Sequence, residues 1–275
     1  MIVVTGATGN VGKPLVRALA AAGEKVIATS RAITSADVPE GVPFQQVDLG
    51  DPGSLATVLD GTDALFLLTS GDFQAGGGDL HTLMATVREA RVRRVVLLSS
   101  LGVVTGRHPG HLESAVEESG VPWTLLRPGG FASNTLWWAE TVRAQRTVAA
   151  PFADVALPLV DPADIAEVAA LALREPGHEG RAYTLTGPEP ITPRQQVAAL
   201  GETLGTPVAF IEQTRAEAST AMARFMPEPV VESTLDALST PTELERQVSP
   251  DVEKLLGRSP RTFAEWAARN IAAFE

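Results

Sequence analysis

The 275-residue chain has no cysteine, a single tyrosine and three lysines. Without cysteine there is no disulfide, no thiolate nucleophile and no cysteine-bound metal. The lysines are Lys13, Lys25 and Lys254, and none stands four positions after Tyr183. That spacing excludes the Tyr-x-x-x-Lys dyad, in which the lysine lowers the tyrosine pKa so that the phenol can protonate a carbonyl oxygen. Sugar epimerase and dehydratase chemistry resting on the same dyad is excluded with it. No Gly-x-Ser-x-Gly occurs, no His/Asp/Glu cluster has metal-ligand spacing, and the glycines before Lys13 are not spaced as in a phosphate loop. Apolar runs fall far short of the roughly 20 residues that span a bilayer. Lysine and arginine number 22 against 33 acidic residues, a net charge of −11, which argues against a nucleic-acid surface or an anionic membrane as partner. Met1 leads straight into a strand pattern, leaving no room for a targeting peptide. The expectation is a soluble, cytoplasmic protein.

Present instead is a glycine-rich opening. Ile2-Val3-Val4 reads as a short buried strand, and a helical pattern begins near Asn10, with Val11, Leu15 and Leu19 at four-residue spacing. Between them lie Gly6, Gly9 and Gly12. A strand-turn-helix of this kind lets the backbone approach a pyrophosphate, whose charge the free N–H groups at the helix start then hold. Thr8, Asn10 and Val11 belong to the same cradle, and Gly12 permits close helix–strand packing. A second strand, Lys25 to Thr29, ends at Ser30-Arg31. An NAD-binding turn carries an acidic residue about twenty positions past the glycines. Here that place holds Arg31, which can grip a 2′-phosphate, so NADP(H) is preferred over NAD(H); the alternative is an ordinary surface arginine.

Further strands are expected at Phe44 to Leu49, at Ala64 to Leu68 (fully apolar, as in a sheet covered on both faces), at Arg94 to Ser100, at Val155 to Val160 and at Arg181 to Thr186. The fourth strand leads to Thr69-Ser70, where the backbone should pass beneath the cofactor. Residues 71–78 read as a flexible loop at the substrate entrance, and 102–110 as a mobile stretch. Helices are expected at 51–60, 80–90 and 112–119, the last closed by Gly120, and after Asp161-Pro162. Beyond Thr192 the pattern is mostly helical, with Met222, Phe225 and Met226 forming either a lid or ordinary helix packing.

Thr5-Gly6-Ala7-Thr8-Gly9-Asn10-Val11-Gly12 resembles the opening of the NmrA-like branch of the atypical short-chain dehydrogenases/reductases. A second landmark, complete from Ser119 to Asn134, resembles that family's stretch SG-x-P-x-T-x-LRP-x-x-F-x-x-N. The resemblance covers residues 1 to about 187. It implies that Asp48 and Leu49 touch the adenine, that the Pro128 backbone lies near the nicotinamide carboxamide, and that Phe131, Asn134, Trp137 and Trp138 wall the substrate site. His111 and Glu113 match a histidine and glutamate that relatives carry at the start of a helix. His111 is then the candidate proton donor, or else a packing residue; Glu113 reads as structural, and His108 has only proximity. Ser100 stands where cousins of the family carry a substrate-orienting serine, or is a plain strand-ending residue.

The expected fold is α/β: a doubly wound, mostly parallel Rossmann sheet (residues 1–187) with a small C-terminal helical lobe (188–275), the two interleaved. The expected activity is NADPH-dependent hydride transfer to a small apolar or aromatic carbonyl or quinone-like compound, in a monomer or homodimer. The alternative is a non-catalytic NADP(H)-sensing regulator acting on a protein partner. An open cleft lined by Phe131 and a tryptophan favours the enzyme, and a filled one favours the sensor.

Overall fold

A computed structural model describes residues 1–69, 71, 73 and 78–275. In chain order its strands are β1 (Ile2–Val4), β2 (Val26–Ser30), β3 (Phe44–Gln46), β4 (Ala64–Leu67), β5 (Arg94–Leu98), β6 (Trp123–Pro128), β7 (Thr147–Pro151), β8 (Arg181–Leu185) and β9 (Ala209–Gln213). The helices among the described residues are α1 (Gly12–Ala21), α2 (Pro52–Leu59), α3 (Leu80–Glu89), α4 (Leu101–Val104), α5 (His111–Glu118), α6 (Ala139–Gln145), α7 (Pro162–Arg174), α8 (Pro193–Leu204), α9 (Arg215–Met222), α10 (Glu228–Ser239), α11 (Glu243–Arg246), α12 (Asp251–Leu256) and α13 (Phe263–Asn270).

The main sheet runs β3-β2-β1-β4-β5-β6-β8 and every pairing in it is parallel. Alternate residues of each strand serve opposite layers. Val4, Phe66, Val96 and Leu126 pack with Leu15 and Leu19 of α1 and Ile165 and Val168 of α7. Val3, Leu65, Leu67, Val95, Leu97 and Leu125 pack with α2, α3 and α5. Both faces of the central strands β1 and β4 are covered, which is why they are apolar throughout, whereas the edge strand β3 is exposed along its length. Strand order reverses between β1 and β4, and a doubly wound sheet opens its ligand crevice at that point, beyond the carboxyl ends. Thr5 clips the crevice together: its hydroxyl donates to the Phe66 carbonyl at 3.0 Å and accepts from the Leu68 N–H at 2.8 Å.

A second, two-stranded sheet pairs β7 with β9 in parallel, and its core joins Val142 and Val148 to Val197, Leu200, Trp266 and Phe274. The small lobe therefore draws on chain from both sides of Gly187. The strand expected over Val155 to Val160 is absent: the segment makes only isolated bridges, Val160 with Phe131 and Leu157 with Ile191. Residues 102–110, expected to be mobile, instead begin within α4 and are tied down by Arg107. Its Nε donates to Glu245 at 2.7 Å and its Nη2 to the Thr240 carbonyl at 2.7 Å.

Beneath the crevice lies a buried ion pair. Glu113, 5% exposed, accepts from Arg127 Nε at 2.9 Å and Nη2 at 2.6 Å, and also from the Ser99 hydroxyl. It fixes α5 against the ends of β5 and β6. Burial pushes the Glu113 carboxyl up, but the Arg127 and Ser99 hydrogen bonds outweigh it and hold the carboxyl below its ordinary value. Arg127→Leu strands that carboxylate, and denaturant titration is expected to show a loss toward the low end of about 3–5 kcal/mol, because the guanidinium keeps some contact with water. Since the folded pKa is the lower one, the carboxylate's stabilisation is complete above pH 4.5 and fades as pH falls through the folded value. Glu113→Gln should flatten that acid limb of stability.

Candidate active site

The turn between β1 and α1 is built on close backbone approach. Gly6 sits at φ +61°, a left-handed conformation that glycine adopts freely, and its carbonyl accepts from Gly9 N at 3.0 Å. A Cβ on Gly12 would overlap the Gly6 carbonyl and stand 2.8 Å from Ala7 Cα, so the helix can begin here only with glycine. Val11, the residue before the helix, gives no side-chain cap, and the first turn carries no acidic residue. The Lys13 N–H is taken by the Gly9 carbonyl and Pro14 has none, so what α1 offers an outside anion is its positive end and the backbone of the turn before it. The residues present fit a dinucleotide pyrophosphate.

A cleft of about 270 Å³ opens from this turn, lined by Gly6, Thr8, Gly9, Ser30, Arg31, Asp48 and Leu49 among others. These residues, set apart in the sequence, are brought together by the carboxyl ends of β1, β2 and β3. Thr8 donates to the Ser30 hydroxyl at 3.3 Å, and Asp48 accepts from Gly50 N at 2.9 Å. Asn10 turns the other way and donates to Ser133 at 3.2 Å, linking the glycine turn to the 132–138 segment. Leu68 and Phe73 complete the wall, while Thr69 is not among the lining residues. Ser70 lies outside the described residues, as does most of the expected entrance loop at 71–78.

Farther along the same edge, past β5 and β6, is a cavity of about 410 Å³. Ser100, His108, Pro128, Gly129, Phe131 and Asn134 line it, with the Arg107–Glu245 ion pair at its side. Ser100 caps α4, its Oγ accepting from Gly102 N at 3.0 Å. The same Oγ is 2.9 Å from His108 Nδ1. Nothing larger than glycine fits at position 102, because a Cβ there would lie 2.6 Å from His108 Nδ1. His111 does not come to this cavity. It is the first residue of α5, exposed to solvent, and lines neither cavity. The histidine that reaches the site is thus three residues earlier than expected; the turn of α4, which folds residue 108 back onto Gly102, is what the sequence reading lacked. Glu113 is occupied by Arg127, as its structural assignment required.

A third cavity of about 300 Å³ lies under the small lobe and shares Gly130, Phe131 and Asn134 with the second. Trp137 and Trp138 both line it, from a 3-10 segment (Ala132–Trp138) rather than an α-helix. Trp137 is 61% exposed at its rim. Met222 and Phe225 line it too, while Met222 and Met226 also pack on Ala218, Val231 and Leu235.

Residues 6–176 match a family described as NAD(P)H-binding. The chain belongs to this family. It is 40% identical to (4-alkanoyl-5-oxo-2,5-dihydrofuran-3-yl)methyl phosphate reductase of Streptomyces griseus subsp. griseus, covering 100% of this chain and 99% of that protein. It is 34% identical to the NAD(P)H azoreductase of Xenophilus azovorans, again over 100% and 99%. Among solved structures, the NADPH-dependent quinone oxidoreductase QOR2 of Escherichia coli, complexed with NADPH, superposes with a TM-score of 0.82 at 25% identity, over 98% and 99% of the two chains. No helix among the described residues is long and apolar enough to cross a membrane.

The glycines of this NAD(P)H-binding protein separate two roles. A Cβ at Gly9 meets only the Gly6 carbonyl, at 3.3 Å, so Gly9→Val is expected to fold while its side chain fills the cradle. Calorimetry should show NADPH binding weakened at least about a hundredfold with thermal stability nearly unchanged, whereas Gly12→Val should lower stability itself.

Proposed function

We propose that this protein is an NADPH-dependent reductase of small, apolar carbonyl or quinone-like compounds. The observation that carries the reading is the open cavity lined by Ser100, His108, Pro128 and Phe131, on the same sheet edge as the dinucleotide cleft. A nicotinamide cofactor, when bound, supplies the hydride. The protein supplies orientation, exclusion of water and a proton. The cleft residues hold the dinucleotide, with Arg31 at the end of β2 receiving the 2′-phosphate. Phe131 and Asn134 hold the substrate against Pro128 and Gly129, and Trp138 walls the adjoining cavity.

The proton comes from the Ser100–His108 pair rather than from His111. Ser100 Oγ already accepts from Gly102 N and lies within hydrogen-bond reach of His108 Nδ1. A proton given by Ser100 Oγ to a substrate oxygen is replaced by one from His108 Nδ1, and the exposed imidazole is resupplied by solvent. This relay does the work that the absent tyrosine does elsewhere. The relatives named for furanone phosphate, azo and quinone reduction support the reductase reading. Open space beside Phe131 and the tryptophans stands against a sensor whose cleft is filled. A small molecule in the cytoplasm is the expected partner, since a charge of −11 suits neither nucleic acid nor an anionic membrane.

Two measurements test this. Arg31→Ala should weaken NADPH binding by about 1.5–3 kcal/mol, the worth of a hydrogen bond to a charged group, and leave NADH nearly unaffected; equal losses would remove Arg31 from the site. His108→Phe should cut NADPH-driven reduction of a ketone such as acetophenone by about 10²–10⁴-fold and reduction of methyl-1,4-benzoquinone far less. An alkoxide demands a proton at once, and a hydroquinone anion does not. The same change at His111 should alter neither rate, and the reverse ranking of the two histidines would restore His111 as the donor.

A further inference from the structure

The two cavities beyond Pro128 differ in chemistry. The first, where the reaction is assigned, presents Ser100, His108, Arg107 and Glu245. None of the residues lining the second carries a charge; its walls are mainly alanine, leucine, proline, methionine and aromatic side chains. The two share Gly130, Phe131, Asn134, Leu157, Thr234 and Leu238. A Cβ at Gly130 would lie 2.8 Å from Leu159 Cδ2, so a side chain there would crowd the junction that glycine leaves open. At about 300 Å³ the apolar chamber is about twice the size of a cavity that takes benzene.

Two features suit the chamber to a guest rather than to packing alone. Phe152 lines it at φ +56°, a left-handed backbone that an aromatic residue adopts only at a cost of about 1–3 kcal/mol. The opposite wall is the α9–α10 hairpin, whose own core is small: Ala218, Val231 and Leu235, supported by Phe152, Met222 and Met226. Met222 is unbranched and adapts to what it covers, while Phe225 lines the chamber yet is 86% exposed, so it has room to swing inward.

Building on the reductase reading, we propose that the chamber is a tail site. The substrate is an amphiphile whose reducible head lies at Ser100 and His108 and whose unbranched alkyl chain passes Gly130 into the space beneath α9 and α10. The uncharged lining selects a methylene chain over a polar or charged substituent. Each methylene buried there should raise kcat/KM by roughly fourfold until the chamber is full.

The test compares methyl-, pentyl- and decyl-1,4-benzoquinone with NADPH as donor. The wild-type protein should favour pentyl over methyl by at least about thirtyfold and gain progressively less toward decyl, on the same methylene increment. Two variants fill the chamber from different walls: Ala221→Phe in α9 and Ala149→Phe on the exposed side of β7. In either one that folds, the pentyl-to-methyl ratio should collapse toward one. Equal kcat/KM across the series in the wild type, or a ratio that both folded variants keep, overturns the tail site while leaving the reductase reading intact. If neither the quinones nor acetophenone is turned over, the reductase reading fails; whenever no quinone is turned over, binding judges the chamber. Saturable quenching of tryptophan fluorescence by 1-decanol but not by 1-butanol, abolished in the variants, supports it; no saturable response to 1-decanol overturns it.

Discussion

The contact on which the site depends is that of the Gly12 backbone with the carbonyl of Gly6. It brings the first turn of α1 against the end of β1, closer than any other residue type permits. The positive end of the helix is thereby aimed over the crevice where strand order reverses. Thr5 holds β1 to β4 at the same level, so neither side of the crevice can shift without breaking hydrogen bonds to the Phe66 carbonyl and the Leu68 amide. The cradle is a backbone construction, and Arg31 lines the same cleft at the end of β2.

A second rigid point lies at the other end of the edge. Arg127 belongs to the Leu-Arg-Pro landmark, and its pairing with the buried Glu113 anchors the strand that ends at Pro128. Ser99 joins that ion pair, and its neighbour Ser100 faces the cavity. Two adjacent serines after β5 thus face different ways, Ser99 to the buried ion pair and Ser100 to the cavity. The Arg107–Glu245 pair closes the arrangement from the small lobe, holding the segment that carries His108.

Much of this was legible in the sequence, for physical reasons. Buried parallel strands announce themselves as apolar runs, and the glycine spacing encodes the turn directly. The apolar strands of the main sheet, the caps at Gly120 and Asp161, and the cluster of Gly6, Thr8, Gly9, Ser30, Arg31, Asp48 and Leu49 follow from such local signals. What was not legible depends on distant partners. Thr147–Pro151 and Ala209–Gln213 become strands only because they pair with each other across the small lobe, and neither has a pattern that distinguishes it from loop or helix. Val155 to Val160 looks like a strand and lacks a neighbour to extend against. The choice between His108 and His111 turned on one helical turn at Leu101–Val104 and on Arg107 finding Glu245, more than a hundred residues away. The sole signal in the sequence was Gly102, whose lack of a side chain makes room for the His108 ring.

The central claim is that the dinucleotide cleft and the cavity at Ser100 and His108 form one site, so that a substrate there faces the nicotinamide. A crystal structure of the protein grown with NADPH tests this most directly. The account predicts the pyrophosphate over the turn from Gly6 to Gly12, the 2′-phosphate at Arg31, and the nicotinamide ring beside Pro128 with open space above it bounded by Ser100, His108 and Phe131. A nicotinamide lying outside that cavity, or a cavity closed by side chains once the dinucleotide is in place, would contradict it.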